Sequence, residues 1–559
     1  MLNRFLYSSL LSLAVLTTVS AQDSALELYG SDVDVVLRLA EPDKSIESVV
    51  ELINGAQPGF GEIARGAIGQ NLGQVISNPT LTGVDQSRDW HVGVYGNGKA
   101  EPLVVFAIPA VDTDDLVGGL GEDFKSSVHG KYVLYTDKGD LPEVPAVEES
   151  VAKSMGEESK TAFEMGEISL YVNSKHLTAT YQEEMETAYD QVLEGLNQLR
   201  FAMPQDAGIN MGPIIEMYGA LAEKLFQGAK DSESVVVAID VGAEGVRIEE
   251  YVNFGAKTKS AKSLASLPTS EMADLGKLPE DAIAYYGVSG GLKDTFKWSM
   301  SFTADMSEDK SVREKMKEIS TSLDEIEFGA MVGSFTIGDP ENGAIQATGI
   351  AHVKPLDLFK KHMRSSVEAM GSLELPGLTQ TSTLEEEAES YGEQKVDIVT
   401  VKQEFDADQP QAELQARMQE MMFGSNGIES RVMYLDDKYI TVMGGGKAAA
   451  KKVFESFEGT SNQTLASPRE ILMEKANFIG LMDLPGAIAG GLKVASTMDQ
   501  FPLPLDEQMI DSLGLVPSYI GLGIAVEDNA IRCRTDIPMS QIKGIFKISM
   551  LFVGMRNQL

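Results

Sequence analysis

The sequence predicts an α+β protein made of two tandem copies of a curved antiparallel sheet with helices packed on one face. Three observations predict it. Residues 234–251, SVVVAIDVGAEGVRIEEY, alternate apolar and polar side chains on both sides of Ala243-Glu244-Gly245, the pattern of a β-hairpin. Residues 519–534, YIGLGIAVEDNAIRCR, repeat it without a gap, so that Val241, Val246, Arg247 and Ile248 become Val526, Ile531, Arg532 and Cys533. Other strand and helix patterns recur between these hairpins in the same order.

The first 21 residues have the form of an export signal. Arg4 precedes an apolar run from Phe5 to Val19, and small residues end it at Ala21. The first copy is expected over 22–270. Val33, Val35, Leu37 and Leu39 form one face of a strand, and Glu41-Pro42-Asp43-Lys44 turns the chain into an apolar-faced helix. Ile63, Ile68, Leu72, Val75 and Ile76 continue at helical spacing through a Gly-rich segment. Trp90–Tyr95 and Leu103–Ile108 make a hairpin across Gly96-Asn97-Gly98. Asp112–Phe124 reads as a short helix with an aspartate cap rather than a calcium loop, because the EF-hand glycine and glutamate spacing is missing. Strands follow at 130–136 and 166–173, then helices at 177–201 and 212–228, then the late hairpin.

The second copy is expected over 271–559. Pro279–Val288 stands where Ser31–Leu39 stood. Residues 328–337 and 344–353 form the next hairpin, with Val332 aligned to Val92. Lys438-Tyr439 aligns with Lys131-Tyr132, Asn477–Met482 with Glu167–Val172, and the last hairpin with its earlier echo. The offsets differ because of an acidic insertion, about residues 371–430. It holds Glu385, Glu386, Glu387 and Glu389, a further strand at 396–401 and a helix entered through Pro410.

Composition narrows function. With 84 Asp plus Glu against 46 Lys plus Arg, the net charge is −38, which disfavours nucleic acid and unaided binding to anionic lipid. The one cysteine, Cys533, rules out an intrachain disulfide, and strand alternation predicts it buried. No later stretch resembles a membrane span; residues 478–495 are apolar but interrupted by Asp483, Pro485, Lys493 and glycines.

Catalytic patterns are sparse. His91, His129, His176, His352 and His362 show no zinc-ligand spacing, so no metal or cofactor is expected. Gly287-Val288-Ser289-Gly290-Gly291 fits the G-x-S-x-G elbow of hydrolases, but residues 292–295 carry no clear helix signal. A glycine-rich turn is the simpler reading. The candidate apolar binding surface is Phe478, Leu481, Met482, Leu484, Ile488 and Leu492, and the 26 methionines favour adaptable apolar contacts.

The Lys131-Tyr132 and Lys438-Tyr439 strands, together with the two late hairpins, resemble the exported DUF3352-like proteins of planctomycetes. That resemblance implies an envelope location and carries no functional residues. The expected function is a non-enzymatic exported scaffold or binding module of the periplasm or cell envelope, whose partner is an envelope protein or a lipid-like apolar ligand. The alternatives are a hydrolase centred on Ser289 or on acidic residues assembled in space, and a self-associating surface structural protein.

Overall fold

Hairpin registers define both sheets. The computed structural model describes residues 24–556 except 97–100, 203–211, 281, 307–309, 339–342, 372–373, 376–377, 407–411, 458–461 and 498–506. The predicted export signal, the predicted Asn97-Gly98 turn, the centre of the predicted 338–343 loop and Met203, Met211 and Met498 lie outside the described residues. The chain clusters into two units, residues up to 185 with 229–255, and 186–228 with 256 onward.

In the first unit the strands are β1 (Val35–Leu39), β2 (Trp90–Tyr95), β3 (Leu103–Pro109), β4 (Lys125–His129), β5 (Tyr132–Thr136), β6 (Ile168–Val172), β7 (Ser232–Gly242) and β8 (Gly245–Phe254). They pair in the order β8-β7-β6-β1-β2-β3-β5-β4, every pair antiparallel. The helices of this stretch are α1 (Pro42–Ala56), α2 (Gly61–Val75), α3 (Thr113–Gly119), α4 (Val151–Ser154), α5 (Glu157–Met165), α6 (Ser174–Thr180), α7 (Gln182–Ala202) and α8 (Gly212–Asp231). Asp112 caps α3 by accepting from the Asp114 and Asp115 amides, as the sequence predicts. Tyr189 of α7 stacks on Phe226 of α8 with centroids 4.4 Å apart, which joins these two helices as a pair.

The second unit repeats this plan. Its helices are α9 (Lys259–Leu264), α10 (Leu292–Met306), α11 (Lys310–Ser322), α12 (Leu356–Met370), α13 (Ala412–Phe423), α14 (Gly446–Ser456), α15 (Ala466–Ile471), α16 (Leu484–Ser496), α17 (Glu507–Asp511) and α18 (Met539–Arg556). Its strands are β9 (Ala284–Val288), β10 (Glu327–Ile337), β11 (Ile345–Lys354), β12 (Glu374–Leu375), β13 (Leu378–Tyr391), β14 (Gln394–Phe405), β15 (Ile428–Leu435), β16 (Lys438–Met443), β17 (Phe478–Met482), β18 (Ile520–Glu527) and β19 (Ala530–Pro538). The order is β19-β18-β17-β9-β10-β11-β16-β15-β14-β13-β12, again all antiparallel. The eight strands from β19 to β15 follow the same path as β8 to β4. The insertion adds β14, β13 and β12 at the β15 edge. The acidic run is therefore part of a long strand.

Two turns anchor the copies to each other independently. Val241 opposes Val246 in the first late hairpin, and Val526 opposes Ile531 in the second. His129 opposes Tyr132 across a two-residue turn, and Leu435 opposes Lys438. Gly130 (φ 61°) and Asp436 (φ 54°) supply the left-handed residue that such tight turns need. Followed strand by strand from either anchor, the registers match the same residues of β3 and β11: Phe106 falls on Gly349. The match corrects two sequence alignments by one residue each. Lys438, not Tyr439, takes the place of Tyr132, and Val332 takes the place of His91 rather than Val92. A one-residue slip moves a side chain to the opposite face of a sheet.

One face of the first sheet carries Trp90, Phe106, Ile108, Val133 and Tyr135, packed against Ile76 at the end of α2 and Leu116 of α3. In the second unit α10, α11 and α12 belong to the corresponding face, through Leu323, Ala351, Val353 and Phe359. The opposite faces are closed by shorter elements. Phe163 of α5 accepts from Arg38 in the first copy, and Val453 and Phe454 of α14 join Val332, Ile350 and Ile440 in the second.

Arg38 and His91 stand on the face of the first sheet opposite Trp90 and Phe106, and Asp89, just before β2, joins them in a polar cluster. Arg38 is buried, pairs with Asp89 at 2.7 Å and donates to the Phe163 and Gly166 carbonyls. Burial holds the His91 imidazole down to about 4; Asp89 opposes this and Arg38 reinforces it. A lowered imidazole means that the unfolded chain binds the proton first. His91 therefore contributes full stability above about pH 6.5, and the contribution is lost as pH falls towards 4, by about 3 kcal/mol. Urea unfolding of wild type and His91→Leu at several pH values checks this: the acid loss should be steeper in wild type, and parallel profiles would refute it.

Candidate functional site

The two copies diverge along one rung of the sheet. Across β1, β2, β3 and β5, Leu37, Val92, Phe106 and Tyr135 stand side by side. The same rung of the second copy holds Tyr286, Gly333, Gly349 and Thr441. Two residues further along, Trp90, Ile108 and Val133 are answered by Met331, Ala351 and Tyr439. Most of these exchanges put a smaller side chain in the second copy.

The consequence is geometric. In the first copy the Phe106 and Tyr135 rings stack, with centroids 5.0 Å apart and planes 16° from parallel, and both belong to the buried cluster. In the second, Gly349 faces Thr441, and a Cβ on Gly349 would lie 3.1 Å from the Thr441 methyl. The Tyr286 ring covers Gly333, whose hypothetical Cβ would lie 2.5 Å from it. A cavity of about 200 Å3 opens between the strands and the helix layer. Gly349, Ala351, Met331, Tyr439 and Thr441 line it from the sheet. Phe296 of α10, Leu323, and Phe359, His362 and Met363 of α12 line it from the helices.

Aromatic rings dominate the wall. Phe296 meets Phe328 at 5.2 Å, Phe328 meets Phe359 nearly edge-on at 6.0 Å, and Phe359 meets Tyr439 edge-on at 5.1 Å. The sequence showed no helix signal after Gly291, yet α10 begins at Leu292. The left-handed Gly290 and Gly291 lead out of β9, and the Gly291 carbonyl accepts from the Thr295 amide to open the helix. That helix brings Phe296 to the cavity.

The ionisable groups in the wall are neutral at pH 7. Burial lowers the His362 imidazole, whose Nδ1 lies 2.9 Å from the Ser322 hydroxyl. Burial pushes the Tyr439 phenol up to about 12 and raises that of Tyr286. A charged ligand group would lose its hydration here with no opposite charge to replace it, so the cavity suits uncharged apolar molecules.

A separate open groove of about 630 Å3 lies on the other face of β10 and β11. His352 sits in it with Nε2 2.5 Å from Asp274 and Nδ1 3.5 Å from Asp437. Lys438 bonds Asp274 at 2.8 Å and Lys354 bonds Asp437 at 3.1 Å. The hydrogen bond from Lys354 is the main reason the Asp437 carboxyl is lowered. Gly329, in the β10 bulge, allows the close approach, since a Cβ there would lie 2.8 Å from that of His352. Asp274 holds Nε2 of the imidazole, and among the described residues no serine or cysteine lines the groove except Ser270.

Of the six residues of the predicted apolar surface, Phe478, Leu481 and Met482 lie on β17 and Leu484, Ile488 and Leu492 on α16. On β17, Leu481 is buried with Ile479 in the main core of the second unit, while Phe478 and exposed Met482 point to the opposite side. Leu484, Ile488 and Leu492 lie half-buried along α16, where Gly490 packs against Ile337. Ser289 is buried, and its hydroxyl donates to the Pro268 carbonyl at 2.9 Å. The helix that follows gives half of the elbow context, but β9 is flanked by antiparallel neighbours rather than a parallel sheet. Cys533 is half-buried rather than buried. No helix among the described residues is long and apolar enough to cross a membrane. No protein-family model, curated protein or solved structure matches the chain.

Proposed function

We propose that this chain is a non-enzymatic exported binding protein of the cell envelope whose second copy receives a small apolar ligand. The observation that carries this reading is the rung at which Phe106 and Tyr135 of one copy become Gly349 and Thr441 of the other, with an aromatic-walled cavity beside them. A duplicated fold with one filled and one hollowed core divides its tasks: the first copy supplies a rigid sheet and the second a site. The cavity volume of about 200 Å3 is close to the ~150 Å3 known to hold benzene. The export signal supports the location, and the Ser289 hydroxyl, buried and bonded to the Pro268 carbonyl, favours binding over serine hydrolysis.

A ligand that binds only the folded state stabilises it by about 2.7 kcal/mol at a hundredfold excess over Kd, and so raises the unfolding midpoint. The test is thermal unfolding of the exported chain with a panel of small linear, alicyclic and aromatic hydrocarbons. At least one class should raise the midpoint in wild type, and Gly349→Phe should abolish the rise. A panel that shifts nothing, or shifts the variant equally, removes this reading.

A further inference from the structure

We propose that the ligand is a planar aromatic molecule of one ring with a small substituent, seated where the first copy carries the Phe106 and Tyr135 rings. The proposal rests on the binding reading above and narrows it to a ligand class.

Three observations point to a ring. The first is the shape of what the second copy lacks. Gly349 and Thr441 are register partners, as Phe106 and Tyr135 are, so two nearly parallel rings are missing from these two strands, while Tyr286 in place of Leu37 returns one ring over Gly333. The second is the wall. Phe359 meets both Phe328 and Tyr439 edge-on, so a molecule beside them meets both ring faces and ring edges. Faces are negative and edges positive in an aromatic quadrupole, and that alternation favours another aromatic ring over a saturated one of equal area. The third is size. About 200 Å3 is below the ~300–1,000 Å3 of sites for larger ligands, which suits a single ring better than a sterol or a whole acyl chain.

The wall also bears on substituents. His362 is neutral and engaged with Ser322, and burial keeps the Tyr439 phenol protonated. A carboxylate or ammonium on the ring finds no counter-charge in this wall. Methyl and hydroxyl groups are compatible with it.

Toluene and p-cresol reproduce the Phe and Tyr side chains and serve as probes. Methylcyclohexane and n-octane are the saturated controls. Calorimetric titration of the full exported chain should show toluene and p-cresol binding roughly 3–10-fold tighter than methylcyclohexane, the range expected from aromatic contacts beyond buried area. Binding should be lost in Ala351→Ile, which installs the Ile108 of the first copy, and in Gly349→Phe. Using both variants guards against one that fails to fold. If methylcyclohexane or octane binds as tightly as toluene, the aromatic assignment is overturned while the binding reading stands. If none of the four binds to folded protein, both are overturned. Equal toluene affinity in a folded Ala351→Ile variant places the ligand elsewhere and also overturns the proposal.

Discussion

Phe106→Ala is expected to destabilise the first unit by about 3–5 kcal/mol, the range for a buried phenylalanine cut back to alanine. Phe106 is 8 % exposed and stacks on Tyr135, which is fully buried and donates its hydroxyl to the Ile76 carbonyl at 2.6 Å. The loss combines apolar burial, stacking worth about 0.5–1.5 kcal/mol and the cavity left behind. Hydrogen exchange followed across the first unit separates its unfolding from that of the second. A loss below about 1 kcal/mol would show that the ring pair does not hold this face. The equivalent position of the second copy already lacks a ring, and Gly349→Ala there should change stability far less. Its Cβ contact with the Thr441 methyl requires only a small adjustment.

Arg431→Ala is expected to cost about 3–5 kcal/mol and to loosen the inserted hairpin first. Arg431 lies on β15 and reaches across β14 to Glu389 on β13, making two bonds at 3.0 and 3.3 Å, and it pairs with Glu429 at 2.6 Å. The guanidinium is buried, so its removal leaves the largely buried Glu389 carboxylate without its cation. Arg431→Met should be milder than Arg431→Ala, because it keeps the packing of the stem. Burial acts to raise the Glu389 carboxyl, but hydrogen bonds from Arg431 and Tyr391 outweigh it, and the net direction is down. A lowered carboxyl stabilises above the unfolded value of about 4.3, and that stability is lost as pH falls through the folded value. Faster amide exchange in β13 and β14 at pH 7 should therefore appear in Arg431→Ala. Exchange confined to other strands would contradict this role.

Much of the architecture was legible because hairpins and alternation are local signals. Val241 to Ile248 and its echo at Val526 to Cys533 fixed the duplication correctly to the residue, since both turns have equal length. The Lys-Tyr alignment slipped by one because Tyr132 and Tyr439 are chemically alike while occupying opposite faces. That slip hid the site. With Lys438 aligned to Tyr132, Tyr135 falls on Thr441 and the loss of a ring is visible in sequence. The helix at Leu292 was missed because Gly290-Gly291 reads as a breaker, although the left-handed pair serves as the exit from β9. Strand alternation, applied strictly, separates Leu481 from Phe478 and Met482. The partnership of Glu389 with Arg431 was beyond sequence, because it links strands on either side of β14.

The most direct measurement is a crystal structure of residues 22–559 held under xenon pressure. Xenon enters apolar cavities of this size without specific polar partners. The account predicts a xenon peak between Gly349, Thr441 and Phe359 in the second copy and none beside Phe106 and Tyr135 in the first. Side chains closing over the Gly349 rung with no xenon there, or a peak in the first copy instead, would contradict it.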